Sequence, residues 1–423
     1  MKTVLREPTP ASAPCGGSQG YELLPCPRLR ILKIAPTSFF ADYGCHVRIL
    51  EETLALQRLG HRVRICTYPT GRDLPGLEIR RALRVPGWGN VRIGSSRRKP
   101  YLDLLLTGRC LVEAARLRPH LVHAHLHDGA AIGYLISRTY RVPLVFDFQG
   151  SMTSEMIDHG FLRRDGLWYR PLRRLERAID HFADAIITSS AHAASLVVNE
   201  FGCPSAKVHA VPDCVNTDVF RPHWEIEAAL RQLMRKRLGV PHGAKVVVYL
   251  GLLAEYQGAS HLLRAADGLL KRYPKVHFLV MGYPGQERYR AMAAQLGILD
   301  HVTFTGPLPY ELAPSHLALG DVAISPKLSA TEGNGKLLNY MAVGLPTVAF
   351  DTAVNRELLG DLGAYAPPGD VAALTDRLEE LLTDEARSRW LGRALRARVA
   401  ELYSWDGGCH RVLEVYRQVA RLR

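Results

Sequence analysis

The sequence predicts an α/β chain of two doubly wound, parallel-sheet domains facing a cleft. Three observations carry that expectation. Short apolar strands alternate with helical patterns from Leu29 to Val211, a polar stretch holding Pro222 and Pro241 interrupts them, and a second series starts at Lys245. Strands separated by helices build parallel sheets, because each crossover returns the chain to the same sheet end. At 423 residues, 47% of them apolar and 22% charged, a core in each of two domains is expected. The net charge of +13 and pI near 9.5 point to an anionic partner: a phosphorylated metabolite or an acidic membrane surface. No nucleic-acid-binding signature accompanies the charge, and no nucleic-acid partner is expected.

Residues 1–28 are rich in Pro, Gly and Ser and lack the apolar stretch of a signal peptide, so they read as a disordered leader. The eight cysteines are dispersed without zinc spacing, and a reduced cytoplasmic chain is the expectation. No apolar run approaches the ~18–20 residues of a membrane span.

The first domain is expected over 29–212. Its strands fall at Arg30–Ala35, His61–Cys66, His120–His125, Pro143–Phe148, Ala185–Ser189 and Val208–Val211. Helices fall at Val47–Leu59, closed by Gly60, and at Leu102–Leu117, Ala130–Tyr140, Leu172–Phe182 and Ala191–Phe201; Gly71–Pro100 reads as a basic loop. Residues 213–243 read as a linker with one helix near Ile226–Leu238. The second domain, 244–404, has strands at Lys245–Leu250, Val276–Met281, Val302–Thr305, Asp321–Ser325 and Thr347–Phe350. Its helix Ser260–Tyr273 places Leu262, Leu263, Ala266, Leu269 and Leu270 on one face. Further helices follow at Lys336–Val343, Val371–Leu382 and Ala386–Leu402, and a terminal one over 405–423 is expected to cross back to the first domain.

Chemistry concentrates in Ser325–Asp351. A strand ends at Pro326, the polar loop Ala330–Gly335 follows, and a helix starts at Lys336 and stops at Gly344 and Pro346. Ligands bind beyond the carboxyl ends of such strands. Gly333 and Gly335 let backbone N–H groups approach an anion. Lys336 opposes the helix dipole, at a cost of ~0.3–1 kcal/mol, unless an anion sits beside it. Glu332, Lys336 and Asn339 converge on one phosphorylated, hydroxyl-bearing ligand; a solvated lysine on a plain turn fits the same residues.

Other candidates lie on the first domain. Asp147 and Gln149, at a strand end, either hold a reacting hydroxyl or cap a turn. His123, His125 and His127 alternate, which puts all three on one strand face. Neighbouring ligands for zinc are missing, so no metal is expected, and His125 is read as an acceptor-side residue. Gly44 either allows close approach of a ligand or merely turns. Residues 161–178 hold six arginines among Phe161, Leu162, Leu167, Trp168 and Tyr169, which suits either an anionic lipid surface or a solvated helix.

Several stretches, in order, resemble glycosyltransferase family 4. Asn339-Tyr-Met-Ala-Val-Gly-Leu-Pro-Thr-Val348 is similar to its E-[AY]-M-A-x-G-x-P-V-V, Val211–Pro222 to its P-N-G-V-D linker, and Gly251–Gly258 to G-R-L-x-x-x-K-G. The resemblance covers Leu29 to the C-terminus and implies a GT-B fold with two Rossmann-like domains. It implies a retaining, metal-independent transfer of a hexose from a nucleotide-diphosphate sugar to the hydroxyl of a glycan, lipid-linked glycan or small molecule. The donor is a substrate, and no resident cofactor is implied. Donor-side positions are then Gly251, Leu252, Gln257, Gly282, Gly306, Asn334, Gly335, Lys336 and Asn339, with Lys336, Glu332, Asp147 and Gln149 nearest the reaction. Gly44, His125 and Gln149 fall on the acceptor side. A cytoplasmic enzyme, peripheral at the inner membrane face, fits this picture.

The sequence also departs from the family. Its diphosphate-binding Arg and Lys fall on Leu252 and Gln257, its two Glu on Thr331 (with Glu332 adjacent) and Asn339, and its acceptor-side His on Gln149. Two accounts fit: a rebuilt site in which Lys336 replaces the lost cations, or a degenerate protein that binds without turnover. A GT-B sugar-nucleotide epimerase shares the architecture.

Overall fold

The alternating pattern produces two parallel sheets in the computed structural model, which describes residues 28–42, 44–84, 98–329 and 331–421. The leader up to residue 27 and residues 85–97 of the basic loop lie outside the described residues.

The first domain runs β1 (Arg30–Ala35), α1 (Gly44–Arg58), β2 (Arg62–Thr67), β3 (Glu78–Arg81), α2 (Lys99–Leu117), β4 (Leu121–His125) and α3 (Leu126–Tyr140). It continues β5 (Leu144–Phe148), α4 (Met152–Asp158), α5 (Tyr169–Asp180), β6 (Ala185–Thr188), α6 (Ala191–Asn199) and β7 (Val208–Ala210). After α7 (Ala228–Arg237) come β8 (Lys245–Leu250), α8 (Ala259–Arg272), β9 (Val276–Met281), α9 (Gln286–Gln295), β10 (Val302–Phe304), α10 (Ala313–Leu317) and β11 (Val322–Ser325). Then follow α11 (Lys336–Ala342), β12 (Thr347–Phe350), α12 (Ala353–Leu359), β13 (Ala364–Ala366), α13 (Val371–Thr383), α14 (Glu385–Leu402) and α15 (Trp405–Arg421).

The strand orders are β3-β2-β1-β4-β5-β6-β7 and β10-β9-β8-β11-β12-β13. Each reverses direction once, between β1 and β4 and between β8 and β11, which marks two topological switch points.

Six described elements have no counterpart in the sequence pattern that was strong enough to read: β3, α4, α9, α10, α12 and β13. β3 is a short edge strand of charged residues, held by Arg62 and Arg64 on Glu78 rather than by apolar alternation. α4 and α12 are each seven residues long and start at side-chain caps, Ser151 on Ser154 N and Thr352 on Asn355 N. Helix α1 starts three residues earlier than its apolar periodicity.

Apolar residues fill both faces of each sheet. Trp405, Cys409, Val412 and Tyr416 of α15 pack with Ile31, Leu56, Val145 and Ile187, so the last helix completes the first domain's core. Val215 pairs with Ser404 at the crossing. The domains also touch across the cleft. Glu311 reaches Arg72 at 3.0 Å, the Tyr310 N–H donates to Asp42 at 2.8 Å, and Glu357 accepts from the Ala191 N–H at 2.8 Å.

Candidate functional site

One cavity of about 350 Å³ opens where the two switch points face each other. That size is ordinary for a ligand site. Its walls come from the ends of β1 (Thr37, Ser38), β4 (Leu126), β5 (Gln149, Gly150) and β8 (Gly251, Leu252), and from the loop between β11 and α11. Among the sequence candidates, Gly44, Gln149, Gly251, Leu252, Gln257, Gly282, Glu332, Asn334, Gly335, Lys336 and Asn339 all line it.

The second-domain wall is built on close backbone contacts. Gly282 lies so near Gly251 that an added Cβ would stand 2.2 Å from the Gly251 carbonyl oxygen. Gly251 itself has φ +148°, and a Cβ there would stand 2.9 Å from Lys336 Nζ. Both positions therefore require glycine. Lys336 lies against this wall and donates to Gln257 Oε1 at 2.8 Å, with its Nζ 4.7 Å from the Tyr249 ring centroid. No carboxylate among the described residues pairs with it. Removal from water lowers its pKa to about 7, and Lys327 adds to the effect.

The loop before α11 is fixed from below. Asn334 Nδ2 donates to Ser325 Oγ at 3.0 Å and to Asn355 Oδ1 at 2.8 Å, so its side chain anchors the loop and only its backbone is left for a ligand. Lys327, which the sequence pattern did not single out, is buried beside the loop. It pairs with Glu332 at 2.9 Å and donates to the Gly333 carbonyl at 2.6 Å. Lys336 is thus not a lone ammonium; a second lysine stands next to it, already answered by Glu332.

Three first-domain expectations need correction. Asp147 is fully buried behind the cavity and does not hold a ligand hydroxyl. It accepts from Arg48 Nε at 2.9 Å, His125 Nδ1 at 2.8 Å and Gln149 Nε2 at 2.9 Å. Burial alone would raise its pKa; Arg48 and His125 outweigh that and hold it well below the usual carboxylate range. His125 is likewise buried behind the wall, not on the acceptor side, and burial followed by His123 lowers its pKa to about 4. His127 does not share a face with His123 and His125. β4 ends at His125, Leu126 turns with φ +61°, and His127 enters α3 to meet Asp180 at 3.1 Å. Gly306 also lies off the wall, although Leu308, two residues on, lines it. Gly44 lines the cavity, but a Cβ there would meet nothing within 4 Å, so no close approach demands it.

His123, His125 and Asp147 stand close enough to hold a metal ion. Their surroundings oppose one. His123 Nδ1 is 2.6 Å from Tyr416 Oη and 3.1 Å from Glu52, Glu52 pairs with Lys33 at 2.8 Å, and Arg48 occupies Asp147. Two buried cations beside the trio repel a third.

Arg48 is the residue that sequence reasoning missed most. It spans Asp147 and, at 2.8 Å, Asp213, and so ties β5 to the linker at the cavity floor. The available signal was a charge near the start of α1, among residues that the helix buries.

A family model described as glycosyl transferases group 1 matches residues 231–398, and one described as glycosyltransferase family 4 matches residues 44–219. The 2-deoxystreptamine N-acetyl-D-glucosaminyltransferase of Streptomyces fradiae is 30% identical over 407 residues, covering 90% of this chain and 92% of that one. The D-inositol 3-phosphate glycosyltransferase of Thermomonospora curvata is 28% identical over 399 residues, covering 88% and 90%. Among solved structures, sucrose-phosphate synthase from Thermosynechococcus elongatus superposes with a TM-score of 0.78 at 19% identity, over 94% of this chain and 100% of that one.

Proposed function

This chain belongs to the family 4 type of glycosyltransferase, and from that footing we propose that it moves a hexosyl group from a nucleotide-diphosphate sugar to an acceptor hydroxyl, with retention and without a metal. One observation carries the proposal: Lys336 stands in the cavity without a carboxylate partner among the described residues, at some cost to its own protonation. A diphosphate supplies the missing charge. As the bond from the anomeric carbon to the phosphate oxygen breaks, the electron pair leaves with the diphosphate, and Lys336 stabilises the charge that develops. The backbone of Gly333–Gly335 assists, although the short α11 gives only a modest dipole. The acceptor oxygen takes the carbon, and its proton passes to the departing phosphate. Lys336 and the loop N–H groups near the leaving group supply the positive charge that a metal ion supplies elsewhere. Retention rests on the family resemblance.

Thermal-shift measurement with UDP, GDP and ADP tests the donor reading. At about 100 times Kd one of them should stabilise the fold by about 2.7 kcal/mol. No stabilisation by any of the three contradicts it. Incubating the matching nucleotide-sugar alone, then with acceptors, separates transfer from epimerisation and from binding without turnover.

A peripheral membrane contact is part of the same proposal. No described helix is long and apolar enough to cross a membrane. Of the arginines in 161–178, Arg173 and Arg177 bind back to the protein, through Glu176, Glu200 and the Phe201 carbonyl. Arg164, Arg170 and Arg174 are exposed, in the same segment as exposed Phe161, Leu167 and Trp168. At ~1 kcal/mol each on an anionic surface, replacing these three by glutamine should weaken vesicle binding about 100-fold. Flotation with phosphatidylserine vesicles checks this, and unchanged or salt-insensitive binding removes the membrane contact.

A further inference from the structure

The two halves of the cavity differ in charge. On the first-domain side the cations are already answered: Lys99 is paired with Asp128, and Arg48 lies between Asp147 and Asp213. What then faces the cavity is a set of hydrogen-bond acceptors. Glu155 of α4 makes no ion pair with a lysine or arginine among the described residues: His159 Nδ1 lies 3.8 Å away, and the charge of Lys99, engaged by Asp128, reaches it from further off. Asp147 orients the Gln149 amide by accepting from its Nε2, which leaves Oε1 to the cavity. Ser189 is 5% exposed and lines the same cavity, and its Oγ has no partner among the described residues.

We infer that the acceptor carries ammonium groups beside its reacting hydroxyl, as an amino sugar or aminocyclitol does, with Glu155 binding an ammonium and Gln149 Oε1 and Ser189 Oγ taking neighbouring N–H or O–H donors. The inference rests on the proposed transfer reaction and narrows its acceptor. A phosphorylated acceptor would meet Glu155 with both nearby cations already engaged, and like charges held close in a partly desolvated site repel. Burial raises the pKa of Glu155, Lys99 opposes the rise and Glu332 adds to it, and an incoming ammonium would favour its ionised form.

The test uses two cyclitols of similar size and opposite charge, 2-deoxystreptamine and myo-inositol 1-phosphate. Each is titrated calorimetrically into the full chain saturated with its stabilising nucleoside diphosphate. The diamine should bind at least about tenfold tighter than the phosphate. Glu155→Gln should weaken diamine binding about tenfold or more while leaving the nucleotide's thermal shift unchanged, and Glu155→Lys should reverse the preference. The inference is overturned if the cyclitol phosphate binds as well as the diamine, if the diamine does not bind, or if the Gln variant holds it as tightly as the parent. Loss of the nucleotide shift in the parent chain counts against the donor reading instead.

Discussion

Replacing Lys336 by methionine should lower turnover by about 10²-fold or more, close to 2.7 kcal/mol, and at the same time raise the melting temperature of the ligand-free protein. The two effects have one cause. The ammonium is partly withdrawn from water, donates to Gln257 and lies near the Tyr249 ring, Lys327 repels it, and its pKa falls to about 7. A lysine whose folded pKa lies below its unfolded value binds fewer protons folded than unfolded between those two values, so stability rises with pH across that window. The penalty is fully present below about pH 7 and disappears as pH rises towards the ordinary lysine value of 10.5. The gain from Lys336→Met should follow the same course, largest near pH 6 and fading by pH 10. Melting curves over that range, beside initial rates, check both halves. A variant that is less stable and fully active would contradict the account.

The second large effect is structural. Arg48→Met leaves the carboxylates of Asp147 and Asp213 without their shared guanidinium, in a region where both are well covered. Breaking a buried ion pair from one side costs roughly 3–5 kcal/mol, because the remaining charge is neither hydrated nor answered. Urea denaturation should show a lower midpoint at unchanged slope. The deficit should shrink on acidification: without Arg48 the two carboxyls have folded pKa values above their unfolded ones, so the stranded charge is relieved as pH falls. Adding Asp147→Asn and Asp213→Asn should recover part of the loss at neutral pH. An Arg48→Met protein as stable as its parent would mean that the ion pairs contribute nothing net.

Much of the fold was legible because parallel strands buried on both faces leave continuous apolar runs. β1, β8, β9 and β12 match those runs residue for residue. Elements held by charge or capping left a weaker trace: β3 depends on arginine pairs to Glu78, and α4 on the Ser151 cap. The second-domain wall of the cavity was also legible, since the glycines at 251 and 282 and the unexpected cation at the start of α11 are local signals. The first-domain wall was not. Whether Asp147 faces a ligand or an arginine depends on Arg48, 99 positions earlier in the chain, and local spacing carries no information about that pairing. His127 illustrates the same limit, because period-two alternation fails once Leu126 turns the chain into a helix.

Calorimetric titration of the stabilising nucleoside diphosphate at pH 8, in buffers of different ionisation enthalpy, reads the state of Lys336 most directly. An amine with a pKa near 7 is mostly neutral at that pH and must gain a proton to meet the phosphates. The account predicts uptake of close to one proton per site, absent in the Lys336→Met variant, which should also bind more weakly. Binding with no proton uptake, or with equal affinity in the methionine variant, would show that the diphosphate does not rest on this lysine.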